Sequence, residues 1–217
     1  MAKPPSRKTK LSRKMGSGVG KDYLPYITTS EFNSLGTTSV IKDWKTGREI
    51  HCLSQGEMYW YYILRFDDEN IDIREQFPLD RSKTEKIAQQ FGIKHPGNST
   101  EYVMTTDFLV TRSDKTHIAY SVKTNDDLKD RDLEILCIEK QYWLNEGYDY
   151  QLLLKRDVNR MLVENIRAVV PFYDKTEVFD EYSEVKHGIA RKTIVWDMEH
   201  IPINFKRVFY ALSFFYG

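Results

Sequence analysis

With 217 residues and 32 basic side chains balanced by 32 acidic ones, the chain is neutral overall, so total charge makes no case for a nucleic-acid partner. Hydrophobic residues at 41% and charged residues at 29% match a soluble globular protein, and no apolar run reaches the ~20 residues that a bilayer span demands. The length accommodates one ordinary domain and a small second one. The first residues are basic and polar, unlike a secretory signal, and Cys52 and Cys137 stand far apart without a Cys/His cluster, which fits a reducing cytoplasm.

Charge distribution says more than its sum. Lys3, Arg7, Lys8, Lys10, Arg13, Lys14 and Lys21 precede the first acid, Asp22, among Pro, Ser and Gly. This composition predicts a flexible basic tail over residues 1–20. Lys8, Lys10, Arg13, Lys14 and Lys21 are its candidates for lying along DNA phosphates, where each cation releases counterions. A merely solvated terminus would have the same composition. Gly16-Ser17-Gly18-Val19-Gly20-Lys21 is not a phosphate loop, because Met15 stands where the leading glycine belongs and Asp22 where a Mg²⁺-binding hydroxyl belongs.

Two short strands, Ser39 to Trp44 and Glu49 to Leu53, are expected around a Lys45-Thr46-Gly47-Arg48 turn. Ser54 and Glu57 then have capping-box spacing, and Met58, Tyr61, Tyr62 and Leu64 continue a helical apolar period. Asn70 to Phe77 alternates like a half-buried strand that Pro78 ends. Ser82 to Phe91 predicts a short helix capped by Ser82 and Glu85 and stopped at Gly92. Tyr102 to Thr111 and His117 to Thr124 predict an antiparallel hairpin. Asn125 to Gly147 predicts the longest helix, and Asp149 to Leu154 a strand in a parallel position if that helix is a crossover. The fold class is therefore α/β, a mixed sheet flanked by helices over residues 21–156. Residues 157–217 are expected to form a small helical domain or arm, with a helix over Val158 to Val170 broken by Pro171. It ends in an aromatic run, Phe205, Phe209, Tyr210, Phe214, Phe215 and Tyr216, that suits either a partner surface or a cap on the first core.

The hairpin places Asp107 on one strand and Lys123 at the end of its neighbour, at one edge of a sheet. Cleaving a phosphodiester requires a carboxylate to hold a divalent cation, a source of hydroxide, and a cation facing the pentacovalent state. Asp107 and Lys123 supply the first and last, and a bound Mg²⁺ lowers the pKa of water for the second. Glu57 is the candidate second carboxylate, in a first helical turn where the dipole favours its ionised form. Two other readings stay open: Glu57 as simple capping partner of Ser54, and Asp107 with Lys123 as a weak exposed pair. No histidine pair, cysteine cluster or nucleophile elbow offers a rival site.

Several runs together resemble the TnsA family, endonuclease subunits of bacterial heteromeric transposases. They are Gly20-Lys21-Asp22-Tyr23-Leu24-Pro25, Leu53-Ser54 followed by Glu57, Asp72-Ile73-Arg74-Glu75-Gln76-Phe77-Pro78-Leu79, Gly92-Ile93-Lys94-His95-Pro96, Met104-Thr105-Thr106-Asp107-Phe108-Leu109-Val110 and Val122-Lys123, with Tyr142-Trp143 after them. The resemblance covers about residues 20 to 170. It implies a restriction-endonuclease-like fold, Mg²⁺ dependence with Mn²⁺ substituting, and cleavage of 5′ strands at transposon ends beside a DDE-type transposase subunit and an AAA+ ATPase regulator. It also places Glu57, Asp107 and Lys123 on the family's catalytic positions. One departure stands out: the position two before the lysine, often Gln in the family and acidic in restriction enzymes, is Ser121 here. The expected metal ligands are therefore Glu57, Asp107 and the backbone carbonyl of Val122, with Ser121, Glu75 and Glu139 behind them. A stand-alone restriction or repair nuclease and a non-catalytic DNA-binding adaptor are the competing functional readings.

Overall fold

The computed structural model describes residues 5–31, 37–97, 101–125, 127–174 and 181–203. Helix α1 spans Arg7–Ser12, and strands β1 (Ser39–Lys42) and β2 (Glu49–Cys52) form an antiparallel ribbon running from Ser39 opposite Cys52 to Lys42 opposite Glu49. Helix α2 (Gln55–Phe66) follows, capped by Ser54 Oγ accepting the Glu57 N–H. Strand β3 is Asn70–Pro78, helix α3 Arg81–Gln90, and strands β4 and β5 are Thr105–Arg112 and His117–Lys123. Helix α4 (Asp130–Asn145) crosses to β6 (Asp149–Leu154), and α5 (Arg160–Val169) and α6 (Glu181–Ala190) close the described chain.

The main sheet has the order β3-β4-β5-β6, antiparallel except for β6, which runs parallel to β5 as a crossover helix requires. One face packs Phe108, Val110 and Val122 beneath Tyr61 of α2 and Ile41 and Ile50 of the ribbon. The other packs Leu109 and Ala119 against Ile87 of α3 and Ile138 and Trp143 of α4. The result is an α/β sandwich with the sheet in the middle.

Two helix starts differ from the expectation. The cap of α3 is Asp80, whose Oδ1 accepts the Lys83 N–H at 3.1 Å, while the Ser82 hydroxyl only donates to Asp80. Helix α4 begins at Asp130, not Asn125, where the Asp132 carboxylate accepts the Lys129 N–H at 3.1 Å. Residues 127–129 ahead of it are polar or only partly covered and gain nothing from joining the helix.

The C-terminal helices share their core with the rest of the fold. Ile166 and Val169 of α5 and Ile189 of α6 pack against Trp44, Tyr62 and Phe66, and Val163 meets Tyr59 of α2. The aromatic run Phe205 to Tyr216 lies outside the described residues. Among the described residues, no helix is long and apolar enough to cross a membrane.

The first ribbon is anchored by an ion pair enclosed on all sides. Arg65 Nε of α2 lies 2.9 Å from Asp43 Oδ2, with side-chain exposures of 2% and 4%. The same carboxylate accepts the Lys45 N–H at 2.7 Å, so a single acid shapes the turn and ties it to α2. Burial alone would raise the Asp43 pKa, but Arg65 and these donors overcome it and hold the carboxyl below its ordinary range.

Candidate active site

Strands β4 and β5 stop pairing at Phe108 opposite Tyr120. Beyond that point the Val122 N–H donates to Asp107 Oδ2 at 2.6 Å, so a side chain takes the place of a strand carbonyl and the sheet opens. Strand β3 breaks its alternation at the same level. Ile73 faces the α2 core, whereas Phe77, which simple alternation would put on that same face, packs on the α4 side. The switch occurs at Gln76, whose φ of 48° is left-handed. Bracketed by the pairs Glu75 with Phe108 and Phe77 with Thr106, Gln76 lies across the ladder from Asp107. On β4 the same switch puts Thr106 toward α4 and Phe108 toward α2.

Glu57 reaches this opening from the first turn of α2. Its Oε2 accepts the Leu53 N–H at 2.8 Å and Gln76 Nε2 at 3.2 Å. Ser54 caps the Glu57 N–H, but the Glu57 carboxylate takes the N–H of Leu53, one residue ahead of the cap, and not the Ser54 N–H that a capping box would use. Gln76 Nε2 also lies 3.5 Å from Asp107 Oδ1, so one amide spans both carboxyls. Gly56 is what lets α2 come so near. A Cβ there would stand 3.2 Å from Val122 Cγ1 and 3.2 Å from Thr124 Oγ1 at the end of β5. Gly56→Leu is therefore expected to displace the Glu57 turn and lower turnover more than about tenfold, a rise of over ~1.4 kcal/mol in the activation barrier. Unchanged turnover in a cleavage assay of that variant would show that the close approach is dispensable.

The electrostatics follow from burial and like charge. Burial and then the Asp107 charge push the Glu57 pKa up to about 8, against the opposing hydrogen bonds from Leu53, Ser54 and Gln76. Burial likewise raises Asp107, although the Val122 N–H, the Lys123 charge and Gln76 pull the other way. Glu139, reaching in from α4, is lifted to about 7 by burial and by Asp107, with Ser121, Thr106 and Lys123 opposing. The site thus holds three acids whose negative charges are mutually unfavourable. Lys123, half-buried at the end of β5, makes no ion pair among the described residues.

The remaining predicted residues divide clearly. Ser121 is 2% exposed and lies near the Glu139 carboxyl, whose rise in pKa it opposes and which accepts the Thr106 hydroxyl at 2.7 Å. Glu75 faces the ribbon instead: its carboxylate is 2.7 Å from Arg48 Nη1 and accepts the His51 N–H at 3.3 Å, which makes it a structural ion pair.

The basic segment differs from the tail expected of it. It carries α1 and a bridge between Ser17 and Leu24, and it runs along the outer edge of β3, where Gly20 N–H donates to Asp72 and Tyr26 N–H to the Gln76 carbonyl. Lys10 is enclosed, its Nζ 2.6 Å from Glu31 and 2.7 Å from the Tyr26 carbonyl, and so cannot reach a phosphate in this arrangement. The edge strand's unpaired groups and the aromatic face of Tyr26 supply what the composition could not foresee. Lys8, Arg13, Lys14 and Lys21 remain exposed.

Sequence reasoning missed Gln76 and Gly56 as parts of the site. Gln76 sits inside a conspicuous run, but nothing in strand alternation marks a left-handed residue. Gly56 in a first helical turn was a readable sign of close approach.

The sequence model of a family described as TnsA-like endonuclease N terminal matches residues 67–155, from the start of β3 to the end of β6. Across 184 residues the chain is 39% identical to the transposon Tn7 transposition protein TnsA of Escherichia coli, covering 82% of this chain and 67% of that protein. The mixed sheet with helices on both faces is that of a restriction-endonuclease-like domain. By sequence, the chain belongs to the TnsA family of transposition endonucleases.

Proposed function

We propose that this chain is a Mg²⁺-dependent DNA endonuclease, with Mn²⁺ substituting, that cuts the 5′ strands at transposon ends. It works in the bacterial cytoplasm inside a heteromeric transposase with a DDE-type subunit that cuts the 3′ strands, under an AAA+ ATPase regulator. The catalytic unit is residues 21–156, and residues 157–217 are a small C-terminal helical domain or arm, of which the described helix α5 packs on α2. The observation that carries this reading is the meeting of Glu57 and Asp107 on one amide, 3.2 and 3.5 Å from Gln76 Nε2, with Lys123 on the adjoining strand.

The donor set fits a hard divalent cation. The buried Glu57 carboxyl and the partly buried Asp107 carboxyl, each raised in pKa, offer oxygen ligands and gain from a neutralising charge. Among the described residues no three acidic, His or Cys side chains converge into a closed cage. That suits Mg²⁺, which takes one or two carboxylates and leaves its other positions to water and substrate phosphate. The backbone carbonyl of Val122 is the further ligand we assign, since the Ser121 side chain is turned to Glu139. A cation bound there would supply polarisation of the scissile phosphate and a lowered pKa for the attacking water. Glu57 and Asp107 fix its position. Lys123 faces the charge that builds on the phosphoryl oxygens. The exposed Lys8, Arg13, Lys14 and Lys21 are the cations we assign to the flanking DNA backbone.

A strand-specific assay on a transposon-end duplex, with partner subunit and Mg²⁺, is expected to show 5′-strand nicks that vanish with EDTA. Lys123→Ala should reduce them by about a hundredfold or more, the scale of losing one charge-stabilising group. Intact 5′ strands in an assembly that still cuts its 3′ strands would overturn the proposal. Nicking of naked DNA by the chain alone would instead identify a stand-alone nuclease.

A further inference from the structure

We propose that Gln76 is a positioning residue whose side-chain amide pre-forms the Glu57 and Asp107 pair for a divalent cation. The inference rests on the metal site assigned above and gives the residue between its two carboxyls a positioning role.

Each contact of Gln76 has a direction that suits this task. Its Nε2 carries two hydrogens, and the two nearest acceptors are Glu57 Oε2 at 3.2 Å and Asp107 Oδ1 at 3.5 Å. Its Oε1 accepts the Thr105 hydroxyl at 3.1 Å, which fixes the orientation of the amide with nitrogen toward the acids. Its backbone carbonyl accepts the Tyr26 N–H at 3.3 Å, so the N-terminal segment braces it from outside the sheet. The side chain is 2% exposed. The Leu53 and Val122 N–H groups each hold one carboxyl separately, whereas the Gln76 amide touches both.

The backbone supports the same conclusion. A glutamine at φ 48° holds a left-handed conformation that is strained for a non-glycine residue. Glycine would adopt it freely and would complete the strand switch equally well. Retaining a long amide there is explained by what its far end does. With that donor removed, the two carboxyls lose the one side chain that contacts both and sets their separation.

Gln76→Gly separates the two roles, because it preserves the backbone and deletes the amide. Gln76→Met keeps the length without the donors. The full chain would be titrated with Mn²⁺, followed by electron paramagnetic resonance and calorimetry, beside thermal unfolding of the metal-free protein. The expected result is a single site in the wild type that Asp107→Ala abolishes and that both Gln76 variants weaken at least about tenfold, with the melting temperature of Gln76→Gly unchanged or raised. Should Gln76→Gly prove unstable, Gln76→Met carries the comparison. Wild-type Mn²⁺ affinity in either folded variant overturns the positioning role while leaving the metal site intact. Absence of any Asp107-dependent Mn²⁺ site in the wild type overturns the metal assignment itself, and this inference with it.

Discussion

Asp107→Asn is expected to abolish 5′-strand cleavage, a fall of about a thousandfold or more, while leaving the metal-free chain folded and better able to withstand alkaline pH. Under the metal site proposed above, the loss follows from removing one of the two carboxylates that would hold the cation, whose charge stabilisation amounts to several kcal/mol. The retained fold follows from the geometry. The amide oxygen of the substituted side chain can still accept the Val122 N–H, which lies 2.6 Å from the present carboxylate, so the opened end of the sheet stays satisfied. The pH effect follows from Glu57, raised from 4.5 to about 8 by burial and by Asp107. A carboxyl with a raised folded-state pKa favours the fold in its protonated form. Its contribution is fully present below about 4.5 and drains away as pH climbs through about 8. Without the Asp107 charge, that window narrows. Urea unfolding with EDTA at about pH 6 and about pH 8.5, on either side of the Glu57 value, should show the wild type losing more stability over this interval than Asp107→Asn. Saturating Mg²⁺ or Mn²⁺ should restore the wild type only. Equal pH slopes in the two proteins, or surviving 5′ nicks, would contradict this arrangement of acids.

Arg65→Ala is expected to be the most damaging single substitution away from the site, at about 3–5 kcal/mol of stability. The guanidinium is 2% exposed, pairs with Asp43 at 2.9 Å and lies within 3.4–3.5 Å of the Ile71 and Asn70 carbonyls. Truncating it leaves an ionised Asp43 buried without its counter-charge, and the desolvation cost of that lone acid dominates the loss. Against a total of about 5–15 kcal/mol for an ordinary domain, such a loss approaches unfolding at working temperature. The double change Asp43→Asn with Arg65→Met is expected to recover a large part of it. The amide oxygen introduced at position 43 can still accept the Lys45 N–H while no net charge remains inside. Chemical denaturation of the single and double variants measures this directly. A single-variant loss below about 1 kcal/mol would mean that water reaches Asp43 and that the pair behaves like a surface one.

The sequence is legible wherever the governing interactions are local. Alternation and turn residues placed both hairpins, and the long helix between two strands implied the parallel β6 that the sheet contains. The Ser54 and Glu57 spacing located the start of α2. Helix α3 shows how such a reading slips: Asp80 and Ser82 are both good caps, and the choice went to Asp80, whose side chain accepts the Lys83 N–H. The basic segment shows a different failure. Composition saw seven cations without apolar cover, but Lys10 finds its partners in Tyr26 and Glu31, and the segment around it finds an edge strand to lie along.

The sequence by itself determined the element order, the class of fold, and the placing of Asp107 and Lys123 on neighbouring strands, because these depend on periods of two and of three to four residues along one chain. Only the tertiary structure decided how those residues work together. The switch at Gln76 and Asp107 turns both side chains into the gap where the strands part, and Gly56 lets α2 bring Glu57 over it. Glu139 arrives from a helix that follows the lysine and takes up Ser121. The raised acidities of Glu57, Asp107 and Glu139 exist only once burial has removed water and packing has brought like charges together. Such contacts join residues 19 to 31 positions apart. Their geometry depends on strand register and on how closely one layer approaches the next, and neither is written in any short window of the chain.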